Sequence, residues 1–177
     1  PSILHVVVTD MYTAEPVEVT SKDVGGWDSS GNLMYELFRG TSALPLIYGR
    51  VVEIDGRKYV DGGVSDAIPL VRAIEAGCTD ITVVTTRNLN FRRHKKSGIT
   101  RVLGTLALAS HPRALRRKLL DEDKLFNKTM NLLQDPTEVA DKIRITVVAP
   151  SDESRLAGRT TRGRDKLWDC AQMARQD

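Results

Sequence analysis

Short apolar runs alternate with polar, glycine-containing stretches along the chain, and their periods switch between those of strands and helices. Residues 3–9 are nearly continuous in apolar character, as expected of a strand buried on both faces. Residues 16–20 fit a second, short strand. Asp28, Ser29 or Ser30 supplies an N-cap for a helix over 32–39, which Gly40 ends. Residues 51–54 and 57–60 flank Asp55-Gly56, a dipeptide suited to a hairpin turn. Asp66 is placed to cap a helix over 67–76, with Ile68, Val71 and Ile74 on one face and Gly77 at its end. Buried strands follow at 81–86 and 143–149. Helices are predicted over 100–109, 112–133 and 162–175, the second with Leu115, Leu119, Phe126, Met130 and Leu133 facing the core. Strands alternating with helices predict an α/β fold, with a mostly parallel sheet flanked by helices. No repeat or low-complexity linker divides the 177 residues, which read as part of one domain.

One short stretch carries candidate chemistry. In Lys58-Tyr59-Val60-Asp61-Gly62-Gly63-Val64 a carboxylate leaves the end of a strand and precedes two residues without side chains. Another backbone or a substrate can approach such a group closely, which suits it to act as a general base. Asp and Gly are also common turn residues, so a plain tight turn is the competing reading.

The surrounding residues favour the base. Arg39-Gly40-Thr41-Ser42-Ala43-Leu44-Pro45 lies upstream; Asp66-Ala67-Ile68-Pro69-Leu70 and Ala73-Ile74-Glu75-Ala76-Gly77 lie downstream. With Ile54-Asp55-Gly56 and Asp61-Gly62-Gly63, these stretches resemble the C-terminal half of the catalytic domain of patatin-like phospholipases. The likeness is specific over residues 39–87. It is weaker but collinear over 3–20, through Val6-Val7-Val8-Thr9-Asp10 and Glu15-Pro16-Val17, and loose beyond 88. Gly40 and Thr41 depart from the family's usual Ala and Ser, and both are small.

The resemblance implies a three-layer α/β fold and hydrolysis of lipid acyl esters through a covalent acyl-enzyme. In that chemistry Asp61 takes a proton directly from a serine. Gly62 and Gly63 would shape the turn, while Ser42, Leu44 and Pro45 would form part of the substrate cleft. The family's nucleophile stands in G-x-S-x-G on a strand-to-helix elbow, and no serine here has that context. Ser42 lacks a glycine at 44, Ser65 meets Ala67 instead of glycine, and Ser29 and Ser30 are wrongly spaced from Gly26 and Gly31. The glycine-rich oxyanion segment is absent as well. The expectation is therefore that these residues are the C-terminal portion of one catalytic domain, with nucleophile and oxyanion donors elsewhere. An open sheet edge would then favour self-association, so a homo-oligomer is among the expected states. A non-catalytic lipid-binding or regulatory module of the same family is the alternative.

Other chemistries find less support. A Ser-His-Asp triad would need one of three histidines: His5 falls inside a predicted buried strand, His94 in a basic loop, and His111 before Pro112 at a helix start. An unperturbed Asp, with a pKa of about 3.9, is a weak base towards a hydroxyl, so the dyad needs a dry cleft. No carboxylate or histidine cluster has metal-ligand spacing, and no cofactor is implied. Cys78 and Cys170 are too few and too distant for a disulfide framework, and both are expected to be buried thiols. No G-x-G-x-x-G follows a strand, which argues against a nucleotide-binding domain.

Composition is ordinary, at 41% hydrophobic and 28% charged residues. No apolar run approaches the roughly 18 residues that span a bilayer. A cytoplasmic protein, peripheral to a membrane at most, fits best. The net charge of +3 is unevenly spread: basic residues crowd 87–96, 113–118 and 155–166. A solvated basic surface is the plain reading. Transient contact with anionic lipid headgroups comes second. Nucleic acid is not expected, because aromatic residues for base stacking make up only 5%.

Overall fold

A computed structural model of the chain describes residues 2–23, 31–45, 51–136, 143–158 and 161–175, so the cap expected at residues 28–30 lies outside them. The fold is mixed α/β. Its residues divide into two compact units, Pro1–Pro69 with His94–Phe126, and Leu70–Arg93 with Asn127–Asp177.

The first unit is built on a four-stranded sheet. Strand β1 (His5–Asp10) pairs with β2 (Pro16–Thr20) on one side and with β4 (Arg57–Asp61) on the other; β3 (Val52–Ile54) completes the order β2-β1-β4-β3. Every pairing is antiparallel. The expected parallel sheet is thus corrected here, and the connections explain why. Asp55 and Gly56, at φ of 50° and 75°, form a two-residue hairpin of the type their sequence predicts. The link between β1 and β2 is nearly as tight: Asp10 Oδ1 accepts from the amides of Tyr12 and Thr13, both at 2.9 Å. A parallel crossover needs about a dozen residues or more, which neither link has.

Both faces of this sheet are covered. On one, Val6, Val8 and Tyr59 pack with Met34 and Leu37 of helix α1 (Gly31–Thr41). On the other, Val60 and Val64 pack with Ala14 and with Leu115 of α4 (Arg113–Leu120). A helix–sheet–helix sandwich results. His5 is not a core residue: it is exposed at the start of β1, with Nδ1 on the Glu18 carboxylate across the pair.

The helix predicted over 112–133 is two helices, α4 and α5 (Glu122–Gln134). They part at Asp121, whose amide reaches the Arg117 and Lys118 carbonyls at 3.1 Å and whose carboxylate takes Lys124 and Arg101. Glu122 and Asp123 then fill the first turn of α5, where the helix dipole favours negative charge. Helix α3 (Gly98–Ala107) starts at an N-cap, Ser97, whose Oγ accepts from Thr100 N at 3.2 Å.

In the second unit β5 (Asp80–Val84) and β6 (Arg144–Val148) pair in parallel, in the sense the sequence predicts. Their burial alternates instead of running through both faces, and Val84 and Val148 are exposed. Helix α2 (Leu70–Glu75) starts later than expected because Pro69 holds Ile68 out of helical geometry. Asp66, the expected cap, lies four positions before its first residue. Helix α6 (Arg164–Met173) closes the chain. Cys78 is exposed and Cys170 half-buried, contrary to the two buried thiols expected. Among the described residues no helix is long and apolar enough to cross a membrane.

Candidate functional site

Asp61 is the last residue of β4, paired with Val8 of β1 and half-buried. A 3-10 turn over Gly62–Val64 follows, and Asp61 caps it: Oδ1 accepts from the Gly63 amide at 2.7 Å. That bond sets the direction of the carboxylate. The backbone on either side of the carboxylate is held as well. Asp61 N donates to the Ala43 carbonyl at 3.1 Å, and Thr9 Oγ1 donates to the Asp61 carbonyl at 2.7 Å.

The two glycines have different jobs. At Gly62 a Cβ would stand 2.1 Å from the Val7 carbonyl oxygen, so the turn passes against β1 where no side chain fits. At Gly63 a Cβ would stand 3.0 Å from Asp61 Oδ1, so the missing side chain is what leaves room for the carboxylate itself. Sequence reasoning placed both in the turn; the contacts say why both are glycine.

Of the expected cleft residues, Ser42 is exposed and Leu44 and Pro45 are half-buried. They follow α1 in a segment tied to Asp61 through the Ala43 carbonyl. Asp61, the two glycines and residues 42–45 therefore come together. Ser65 is no exposed nucleophile: it is buried, with Oγ 2.7 Å from Thr9 Oγ1. Since the Thr9 hydrogen is spent on the Asp61 carbonyl, Ser65 is the donor of that pair. Thr41 Oγ1 donates to the Val7 carbonyl at 2.7 Å, the same oxygen that Gly62 crowds.

Thr9, Thr41 and Ser65 hold the backbone around Asp61 and Gly62, a part not foreseen from the sequence, where Ser65 was weighed only as a nucleophile and Thr41 only as a departure from the family's serine. Each hydroxyl acts across 34 to 56 positions, beyond the reach of local pattern. The only local signal was a polar residue closing an otherwise apolar strand at Thr9. Among the histidines, His94 is exposed and His111 lies with Nδ1 3.3 Å from the Ser110 hydroxyl. Among the described residues no three His, Cys, Asp or Glu side chains gather where they could hold a metal ion.

The basic stretches are partly consumed by the fold. Arg87 pairs with Glu153 at 2.7 Å, Arg92 with Asn131 and Gln134, and Arg155 with Asp169 at 2.7 Å. Burial would raise the Asp169 carboxyl slightly, but the Arg155 hydrogen bond is the larger effect and holds it below the usual range.

No known protein family matches the chain. It is similar to uncharacterized protein YjjU of Escherichia coli (strain K12), at 39% identity over 51 residues. That stretch is 29% of this chain and 14% of the length of YjjU, so the likeness concerns a small part of each.

Proposed function

We propose that this chain is the base-bearing part of a patatin-like serine acyl hydrolase, acting on lipid acyl esters. The observation that carries this reading is the held carboxylate of Asp61. It is oriented by the Gly63 amide at 2.7 Å and lies beside a glycine turn with no room for a side chain. A general base must be fixed within hydrogen-bond reach of the proton it takes. An amide bond of this kind also holds Asp10 in an ordinary turn, and what sets Asp61 apart is the packing of its glycine turn against the Val7 backbone. In the proposed step Asp61 removes the proton of a serine hydroxyl as its oxygen attacks the ester carbonyl. Asp61 gives that proton to the departing alcohol, leaving the acyl-enzyme and an ionised carboxylate. Water then cleaves the acyl-enzyme as Asp61 takes its proton, which returns to the serine oxygen as the fatty acid leaves. The serine and its oxyanion donors come from outside these 177 residues, since no G-x-S-x-G occurs within them. Ser42, Leu44 and Pro45, beside Asp61, contribute to the substrate cleft. The protein is cytoplasmic and meets its substrate at a membrane surface.

A non-catalytic lipid-binding module is the second reading, favoured by the lack of any G-x-S-x-G serine. Fluorophosphonate labelling separates the two. In a protein joining this chain to a G-x-S-x-G segment, the proposal expects one labelled serine and turnover of p-nitrophenyl acyl esters. The isolated 177 residues are expected to show neither. Absence of labelling in the joined protein favours the module. A labelled serine within the isolated chain, with turnover, contradicts the proposal.

A further inference from the structure

Helix α3 shows its apolar face to the outside. Ile99, Val102, Leu103 and Leu106 fall within an arc of about 100° on a helix of 3.6 residues per turn. They are 76%, 60%, 61% and 67% exposed. The opposite side does the packing. Arg101 donates to the Leu120 carbonyl and the Asp121 carboxylate, both at 3.1 Å. At Gly104 a Cβ would stand 3.1 Å from Leu120 Cδ2, so the small residue lets α3 lie close to α4. Leu108, just past the helix end on this same side, is buried. An ordinary surface helix does the reverse, burying its apolar stripe and showing its polar one.

Charge points to what covers the stripe. Residues 94–126, the stretch of this unit that carries α3, hold eight Lys and Arg against three Asp and Glu. Several of these cations are engaged in the fold, Lys96 with Glu122 and Arg101 with Asp121 among them. Lys95, Arg113 and Arg117, in the same unit as α3, are exposed. An outward aliphatic stripe on a stretch with this excess of cations complements an anionic interface that has an apolar interior. A second copy docked about a two-fold axis would instead bring this basic surface against itself. Nucleic acid would leave the aliphatic stripe unused.

We propose that α3 is an interfacial helix. It seats Ile99, Val102, Leu103 and Leu106 at the headgroup–acyl boundary of an anionic phospholipid bilayer, with Lys95, Arg113 and Arg117 on the phosphates. This inference rests on α3 and its surroundings and is independent of the role of Asp61.

Sedimentation with vesicles tests it. The chain is mixed with phosphatidylcholine vesicles, or with vesicles in which about a third of the lipid is phosphatidylglycerol, at low salt and at about 0.5 M NaCl. The expected result is binding to the anionic vesicles at least about tenfold tighter than to the neutral ones, and its loss in salt. Leu103→Asp with Leu106→Asp should cost at least about tenfold in binding with an unchanged melting curve, because both side chains are exposed. Arg113→Glu with Arg117→Glu should weaken binding to the anionic vesicles alone, and it carries the test if the leucine variant melts early. The proposal is overturned if the unaltered chain stays in the supernatant with anionic lipid in excess, or if either variant binds undiminished. It is equally overturned if light scattering shows a dimer that the leucine variant splits, which would make a second copy the occupant.

Discussion

Gly62 lies so close to Val7 that a Cβ on it would stand 2.1 Å from the Val7 carbonyl oxygen. The obstacle is backbone of a paired strand, which cannot swing aside as a side chain can. Gly62→Ala should therefore destabilise the protein by at least about 3 kcal/mol. Gly63→Ala meets only the Asp61 carboxylate, at 3.0 Å, and should cost under about 1 kcal/mol. It should nonetheless lower ester turnover roughly 10- to 100-fold by turning the carboxylate away. Urea titration beside rate measurement checks the contrast. Equal loss of stability in both variants would contradict the separate roles.

Thr9 and Ser65 form a buried hydroxyl chain that ends on the Asp61 carbonyl. Thr9→Val keeps the shape but removes the donor, leaving the Asp61 carbonyl and the Ser65 hydroxyl without this partner. A loss of roughly 1–3 kcal/mol is expected, with a smaller loss for Ser65→Ala. In the joined protein Thr9→Val should reduce kcat more than it raises KM, because it shifts the base and not the substrate. Chemical denaturation and steady-state kinetics together decide this.

Gly40, near the end of α1, is a different kind of glycine. A Cβ there would touch Val8 Cγ1 at 3.4 Å, an ordinary contact, and its φ is not positive. Gly40→Ala should leave stability unchanged or raise it by up to about 1 kcal/mol, the helix preference of alanine. A clear fall in melting temperature would show that α1 and Val8 leave no room for the added methyl.

What the sequence made legible was mostly local. Asp55-Gly56 announces a hairpin because both residues tolerate positive φ, and Asp61-Gly62-Gly63 announces a turn with a carboxylate at its start. The direction in which β1 pairs was not legible, because an apolar run such as Val6-Val7-Val8 reads alike in parallel and antiparallel sheets. The break at Asp121 was missed since apolar spacing from Leu115 to Leu133 continues across it. The hydrogen bonds of Thr9, Thr41 and Ser65 were not legible because their partners lie 34 to 56 positions away.

Asp10 gives the fold a dependence on acid. Burial works to raise its carboxyl, but hydrogen bonds from Thr13 and Tyr12, with Arg57 nearby, outweigh it and hold the group below its ordinary value of 3.8. A value depressed in the folded state means the stabilisation is complete above 3.8 and is lost as pH falls through the lowered value. Between about pH 5 and about pH 2 the unaltered protein should lose more stability than Asp10→Asn. Matching slopes for the two in urea unfolding would remove this role from Asp10.

The central claim is that Asp61 is the base, and one substitution addresses it directly. Asp61→Asn keeps size and turn preference but cannot accept the proton. Turnover of a p-nitrophenyl acyl ester should be measured in the joined protein carrying the nucleophile, beside Asp55→Asn on the neighbouring hairpin turn as control. The account predicts a fall of at least roughly 100-fold for Asp61→Asn, near-normal turnover for Asp55→Asn, and similar melting temperatures. Near-normal turnover in Asp61→Asn would contradict it and return the Asp61-Gly62-Gly63 stretch to a structural turn.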